Sequence, residues 1–497
     1  MKNKKLNQFF DDLNHLNEIN IHNLIKIIKD NKRTLFGRKY QFEELSSVED
    51  YQRKVPLSTY DDYRKGNEST YPVKTILHTT GTTGHPKLIN LTEEALTRYQ
   101  DYIYELPKEL FHLDHFISVH TSVFEQNKQP TILSAVYYEY LHQGGVLNTD
   151  NYVEKKTFLF SNEDFPIPYV KLRLALIEEN LTMIESIYLY EIDVFLEYLY
   201  KNWKLILNDL KQKKCSIDIS NSIKEKLNVI VCKPTRILYL ANLFQKYKGK
   251  PPINRIWPKL MYLSGIGQKN SCHIQRIKKY APNIPIYYFA YASSECMCGI
   301  ATKMDIDEYV LMPQSAFYEF LDEKQNLYLP SEVKVGEKYE LIITTFSGFY
   351  RYQTNDILLI TGFEKESPRF RVLGRKNKVL SIAGEKIDEW TIHEAMRDII
   401  QIFQLADVEY MIGIDASKIP FGYIIFTNIS VPLFKEIEIQ FDRSISSLNE
   451  IYGALRKKGF ISMPKFLYFA DFEKYKTSFK PKLILTEEEV LEMKEGL

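Results

Sequence analysis

The amino-acid sequence predicts an α/β protein with a large N-terminal domain and a small C-terminal one. Apolar and aromatic runs such as "KLMYLSG" (259–265) and "IPIYYFAYAS" (284–293) alternate with stretches of helical periodicity, as strands and helices stacked in layers do. Between 339 and 373, "YELIITTF" and "DILLITGF" follow one another with no helix between, which predicts an antiparallel sheet or a small barrel-like one. Beyond "GRKNK" (374–378) the pattern becomes strand, helix, strand, helix, strand, enough for a small mobile α+β domain. The expected division is 1–374 and 375–497, with a hinge near Arg375–Asn377.

Each element has a local reason. Residues 3–35 place Phe9, Leu13, Leu16, Ile19 and Leu24 near helical spacing. "PLSTYDDYR" (56–64) is a loop entering a helix, with Ser58 or Thr59 as cap and acids in the first turn. Helices are expected over 168–214, 234–248 and 270–280, and strands at "LNVIVCK" (227–233) and "YVLMP" (309–313). In the C-terminal part, "VLSIAGEKI", "DVEYMIGID", "GYIIFTNI" and "PKFLYFA" read as strands. "EWTIHEAMRDIIQIF" and 433–458 read as helices.

Composition narrows the function classes. The 497 residues are 44% hydrophobic and 26% charged with a net charge of +1, so neither a basic nucleic-acid surface nor an acidic solvating tail is present. The N-terminus lacks the apolar core of a signal peptide, and no run reaches the roughly 18 apolar residues of a membrane span. Cys215, Cys232, Cys272, Cys296 and Cys298 form no even disulfide framework, which suits a reducing cytoplasm. A monomer or weak dimer acting on small molecules, without nucleic acid or membrane, is the expectation.

The stretch "HTTGTTGHPK" (78–87) is the first with chemistry in it. Successive backbone N–H groups in a glycine-containing turn make a concave anion site, and threonine hydroxyls add donors. Lys87 supplies a point charge for phosphate. Pro86 directly before the lysine excludes a Walker loop.

"TTGTTGHPK" resembles the phosphate loop of the adenylate-forming enzymes, and three further stretches follow in that superfamily's order. They are "YASSE" (291–295), "YRYQTND" (350–356) and "GRKNKVLSIAGEKI" (374–387). The resemblance implies that Thr79, Thr80, Gly81, Thr82, Thr83, Gly84 and Lys87 hold the β- and γ-phosphates of ATP. Tyr291 then lies against adenine, with Ala292, Ser293 and Ser294 lining the way to the phosphates, and Glu295 holds magnesium. Asp356 accepts the ribose hydroxyls, as a carboxylate can from a diol. Arg375 donates to ribose or phosphate, and Lys386 reaches the α-phosphate. The sequence departs in having Asn355 where the superfamily usually has glycine; asparagine tolerates left-handed backbone better than most residues. In "YKTSFKPKL" (475–483), Lys480 or Lys482, with Lys476 behind them, is the candidate for a lysine that enters the site during adenylation.

The spellings "YASSECMCGI", "LMPQSAFYEFL", "VPLSTYDDYR" and "PRFRVLGRKNKVLSIAGEKIDE" are similar to the Gretchen Hagen family of acyl-acid amido synthetases, over roughly residues 50–483. That resemblance implies adenylation of a carboxylic acid followed by transfer of the acyl group to an amine, usually of an amino acid. An acyl-CoA or aryl-CoA ligase, sharing "AGEKI" and the first step, is the alternative. A catalytically silent adenylate-binding protein is a third reading, disfavoured by the presence of Lys87, Glu295, Asp356 and Arg375 together. The acyl pocket is expected from 98–230 and from Ser264, Gly265 and their neighbours. His120 is a candidate lining residue and Arg173 a candidate carboxylate clamp.

Overall fold

The computed structural model describes residues 4–496 apart from 65, 80–86, 101, 103–105, 113–115, 125–131, 143–148, 161–162, 164, 268, 270–271, 377–378, 383–384, 386, 418–419, 431–433, 458–460 and 476–481. The side chains of His78, Thr79, Lys87, Gln100, Tyr140, His142, Cys272, Glu473 and Tyr475 lie outside that description too.

Four sheets organise the described chain. Strands β1 (Val73–Thr79) and β2 (Lys87–Thr92) form an antiparallel hairpin in which Thr79 pairs with Lys87. A parallel sheet follows in the order β3 (Ser118–His120), β4 (Met183–Tyr188), β5 (Tyr262–Ile266) and β6 (Ile286–Tyr287). Its strands are buried almost throughout, as parallel strands covered by helices must be. Among the helices in this region are Ile132–His142, Ile167–Ile177 and Leu189–Gln212.

The eight-stranded sheet contains β7 (Ala290–Ala292), β8 (Met297–Ile300), β9 (Tyr309–Leu311), β10 (Ala316–Leu321), β11 (Leu327–Tyr328), β12 (Lys338–Thr345), β13 (Tyr352–Glu364) and β14 (Ser367–Arg375). Their order is β11-β10-β12-β13-β14-β9-β8-β7. The helix Leu16–Asp30 is tied to this sheet by polar side chains turned inward. Asn20 donates to the Tyr318 carbonyl at 3.0 Å and Asn23 to those of Pro313 and Ala316 at 2.8 and 3.0 Å. The last sheet holds β15 (Tyr410–Asp415), β16 (Gly422–Thr427) and β17 (Ser462–Tyr468). Ile392, Met396, Ile412, Ile425 and Phe441 pack into one core there. Its first helix, Glu389–Ile402, is capped by Asp388, which accepts from the Thr391 N–H at 2.8 Å.

The chain divides into two compact units. One comprises Met1–Gly267, Ile277–Thr354 and Leu359–Arg371, and the other Gln268–Arg276, Asn355–Leu358 and Val372–Leu497. No helix among the described residues is long and apolar enough to cross a membrane.

Several expectations need correction. The helix expected over 168–214 is two helices with β4 between them, because Glu178 and Asn180 turn the chain before the β-favouring "MIESIY". "LNVIVCK" forms no strand: Leu227 and Asn228 are the last two residues of a helix, and Val229 and Val231 are 77% and 58% exposed. Among its described residues, "VLSIAGEKI" contributes an isolated bridge between Leu380 and Ile387 and no longer strand. The helix of 433–458 breaks at Asn449, whose side chain accepts from the Tyr452 N–H at 2.9 Å and starts a second helix. "IPIYYFAYAS" splits into β6 and β7, which belong to different sheets. At 56–64 the structure matches expectation: Thr59 and Asp62 form a reciprocal cap on a short 3₁₀ helix.

Candidate active site

The "YRYQTND" segment separates into two kinds of residue. Tyr350 and Arg351 serve the scaffold. The buried Arg351 guanidinium donates to both carboxylate oxygens of Glu319 at 3.1 Å and to the carbonyls of Gln52 and Val55 at 2.8 and 2.7 Å. Planar fork-to-fork pairing of this kind fixes geometry as well as charge. Its backbone lies in the left-handed region at φ +48°, where a non-glycine residue persists only if its surroundings hold it. Tyr350 donates to the Glu68 carbonyl at 3.1 Å.

Tyr352 begins the part that contains the candidate site residues. Its hydroxyl donates to Oε1 of Glu295 at 2.6 Å, and Glu295 is only 5% exposed. Ahead of that carboxylate, Tyr291 on β7 stands edge-on to Phe370 with ring centres 5.8 Å apart. Ser293 accepts from the Cys296 N–H and so shapes the turn that presents Glu295.

Asn355 has φ +60°, the left-handed conformation its side chain was expected to tolerate. Its carbonyl accepts from the Lys376 N–H at 2.6 Å. Asp356, 6% exposed, accepts from Nε of Arg375 at 3.2 Å, while the Arg375 side chain is 43% exposed. Asp356, assigned to the ribose from sequence, and Arg375, assigned to ribose or phosphate, thus meet directly.

The phosphate-loop residues Thr80, Gly81, Thr82, Thr83 and Gly84 lie outside the described residues, as do Lys386, Lys476 and Lys480 and the side chains of Thr79 and Lys87. Hairpin pairing of Thr79 with Lys87 fixes where the loop leaves and rejoins the sheet. Lys482 is described and forms an ion pair with Glu489.

A narrow cavity lies on one face of the parallel sheet, with space for about one water molecule in this conformation. Its wall is largely aromatic, with Phe116, Tyr137, Tyr262, Tyr287 and Phe289, and Ser264 belongs to it. Glu185 and Lys108 are its charged members. Parallel register places His120, Glu185, Ser264 and Tyr287 in one row across the four strands. Burial pushes the Glu185 carboxyl up to about 7, against the hydrogen bonds it accepts from Ser118 at 2.7 Å and from Tyr152.

The other sequence candidates fall elsewhere. His120 is fully buried, with Nδ1 accepting from the Ser122 N–H at 3.2 Å and its ring against Phe124 and Tyr137. Burial and the Lys171 charge hold its imidazole well below the usual range, so it packs behind the cavity as a neutral core residue. Arg173 is no carboxylate clamp: it is 1% exposed and donates to the Tyr169 hydroxyl and to the carbonyls of Lys214 and Leu227. Gly265 gives space to its neighbours, since a Cβ there would stand 2.7 Å from Oγ of Ser186. Sequence reasoning missed Tyr352 as the partner of Glu295. It also missed Glu185, whose signal was a single acid inside the apolar "TMIESIYL".

A helix-covered parallel sheet, a long second sheet and a small α+β unit together make the adenylate-forming fold. A 2-hydroxyisobutyryl-CoA ligase in its postadenylation state matches with a TM-score of 0.61 at 12% identity, over 97% of this chain and 91% of that one. The GH3.15 acyl acid amido synthetase matches with a TM-score of 0.82 at 21% identity, over 100% of this chain and 97% of that one. The chain belongs to the GH3 family. Residues 5–286 match the GH3 family N-terminal domain and residues 309–375 its central domain. Relatives in Arabidopsis thaliana include the indole-3-acetic acid-amido synthetase GH3.6, 24% identical over 90% of this chain and 84% of its own length. Another is the indole-3-acetic acid-amido synthetase GH3.3, 26% identical over 82% of this chain and 76% of its own. The family resemblance read from the motifs is therefore correct. Relatives that are amide-forming ligases favour the amide-forming reading over the thioester-forming one.

Proposed function

We propose that this chain is an ATP-dependent acyl-acid amido synthetase. A carboxylic acid attacks the α-phosphate of the substrate ATP, releasing pyrophosphate and giving an acyl-adenylate. The amine of an amino acid then displaces AMP and forms an amide. The observation that carries the nucleotide part is the buried Asp356 carboxylate, steadied by Arg375 beside the left-handed turn at Asn355. A carboxylate held in that way suits two ribose hydroxyl donors.

Tyr291 packs against adenine, Thr79–Gly84 and Lys87 take the β- and γ-phosphates, and Lys386 reaches the α-phosphate. Ala292, Ser293 and Ser294 line the path between them. Glu295 suits magnesium, which is typically held by one or two carboxylates together with phosphates and water; Tyr352 orients that carboxylate. When bound, the metal neutralises charge on the phosphates. The aromatic cavity takes the acyl group. Residues 375–497 act as a small mobile domain, turning near Lys376 between the two half-reactions and bringing Lys480 or Lys482 into play. The protein works in the cytoplasm as a monomer or weak dimer, without nucleic acid or membrane.

The test is pyrophosphate release from ATP and magnesium across a panel of carboxylic acids, alone, with mixed amino acids, and with CoA. An amide mass appearing only with amino acids is the expected product. A thioester formed with CoA would move the chain to the ligase alternative.

A further inference from the structure

Glu185 is the residue of the cavity wall that the two-step reaction does not use. It is 5% exposed, midway along β4, in a wall otherwise built mainly of aromatic rings. Ser118 donates to its Oε2, and the Tyr152 hydroxyl supplies a second hydrogen bond to the carboxyl. A carboxyl group offers about four lone-pair positions, so acceptor capacity remains beyond those two bonds, and covering it with carbon is costly. The group also repels the carboxylate of an incoming acid. Lys108, half-buried and so nearer to solvent than Glu185, offers that carboxylate an attractive partner at another point on the same wall.

The two charges thus define a polarity for the ligand. We infer that Glu185 is a specificity-determining residue that selects acids carrying a hydrogen-bond donor, a hydroxyl or amino group, at the end remote from their carboxylate. The aromatic wall suits a ring between the two ends. An acid with a bare ring buries Glu185 against carbon and gives it nothing in return. The inference rests on the reading of this cavity as the acyl pocket of a synthetase.

The experiment compares phenylpropanoic acid with its para-hydroxy and para-amino derivatives. Wild type, Glu185→Gln and Glu185→Leu are assayed by pyrophosphate release, with calorimetric binding of each acid measured in parallel. Thermal unfolding of each variant establishes that it is folded. Wild type should prefer a donor-bearing acid by roughly tenfold to a hundredfold in kcat/KM, the usual range for a hydrogen bond to a charged group. Glu185→Gln, which keeps an acceptor of the same shape, should retain part of that preference. Glu185→Leu should lose or invert it. Equal use of bare and donor-bearing rings by the wild type, or an unchanged preference in Glu185→Leu, overturns the inference while leaving the synthetase reading intact. Donor-dependent binding without pyrophosphate release keeps the selective cavity and sinks the synthetase reading. Neither binding nor turnover by any of the acids overturns the donor selection proposed for Glu185.

Discussion

Two acid–base pairs on the "YRYQTND" segment show how one motif divides its labour. Arg351 and Glu319 are both buried, at 3% and 0% side-chain exposure, and the guanidinium's remaining hydrogen bonds go to main-chain carbonyls. Asp356 and Arg375 share one hydrogen bond, and the arginine is 43% exposed. The first pair is saturated by the protein and has nothing to offer a ligand. The second leaves its guanidinium in reach of solvent. Inside a single motif, one guanidinium is buried and saturated while the other reaches the surface.

The widest break in that comparison should come from Glu319→Ala. It strands a buried guanidinium, and loss of one partner of such a pair costs about 3–5 kcal/mol. Urea denaturation should show that loss; a midpoint near wild type would mean that the pair is not the pin described.

Acid should separate the two regions further, because His393 lies in the same compact unit as Asp356. Burial holds its imidazole down at about 4, from an ordinary 6.5, with Glu389 opposing that shift and His273 reinforcing it. Between those values the unfolded chain binds the proton and the folded one does not, so stability falls as pH falls through that window. The total comes to about 3 kcal/mol. Denaturation of wild type against His393→Gln at pH 7 and 4.5 measures it. The pH dependence should be shallower in the variant, and parallel curves would refute the assignment.

Asp356→Ala sharpens the functional side. Its expected effect is about a hundredfold loss of pyrophosphate release, close to 2.7 kcal/mol, with thermal stability little changed. Full activity in that variant would remove the ribose role. The smallest effect belongs to Asn355. Valine at φ +60° should cost about 1–2 kcal/mol, while glycine should be tolerated, as thermal melts of both variants would show.

Legibility followed the same division. The left-handed turn at Asn355 was readable because asparagine tolerates that backbone, and the motif spacing singled out Asp356 and Arg375, which the structure brings into contact. The cap at Thr59 and the helix from Pro234 were readable because their signals are local. The strand Met183–Tyr188 was hidden because an apolar run between two helices carries no period of its own, and only its neighbours in the sheet decide its state. Val229 and Val231 misled for the complementary reason, since β-branched residues make a strand only where a partner strand is available. Arg173 illustrates a further limit. An arginine in an apolar helix reads as a ligand clamp until its donors are found on the carbonyls of Lys214 and Leu227. Glu185 acquired meaning only when the register set it opposite Ser264.

The in-register row His120, Glu185, Ser264 and Tyr287 has an evolutionary consequence. Three of its members, Glu185, Ser264 and Tyr287, line the cavity from different strands, so a single codon change alters one tile of its wall. Glu295, Tyr352 and Asp356, the residues proposed for the nucleotide, occupy other stretches of chain, and substitutions in the row leave them untouched. With the cavity as the proposed acyl pocket, a lineage built on this scaffold is free to exchange one carboxylic acid for another in single steps while its energy source stays the same.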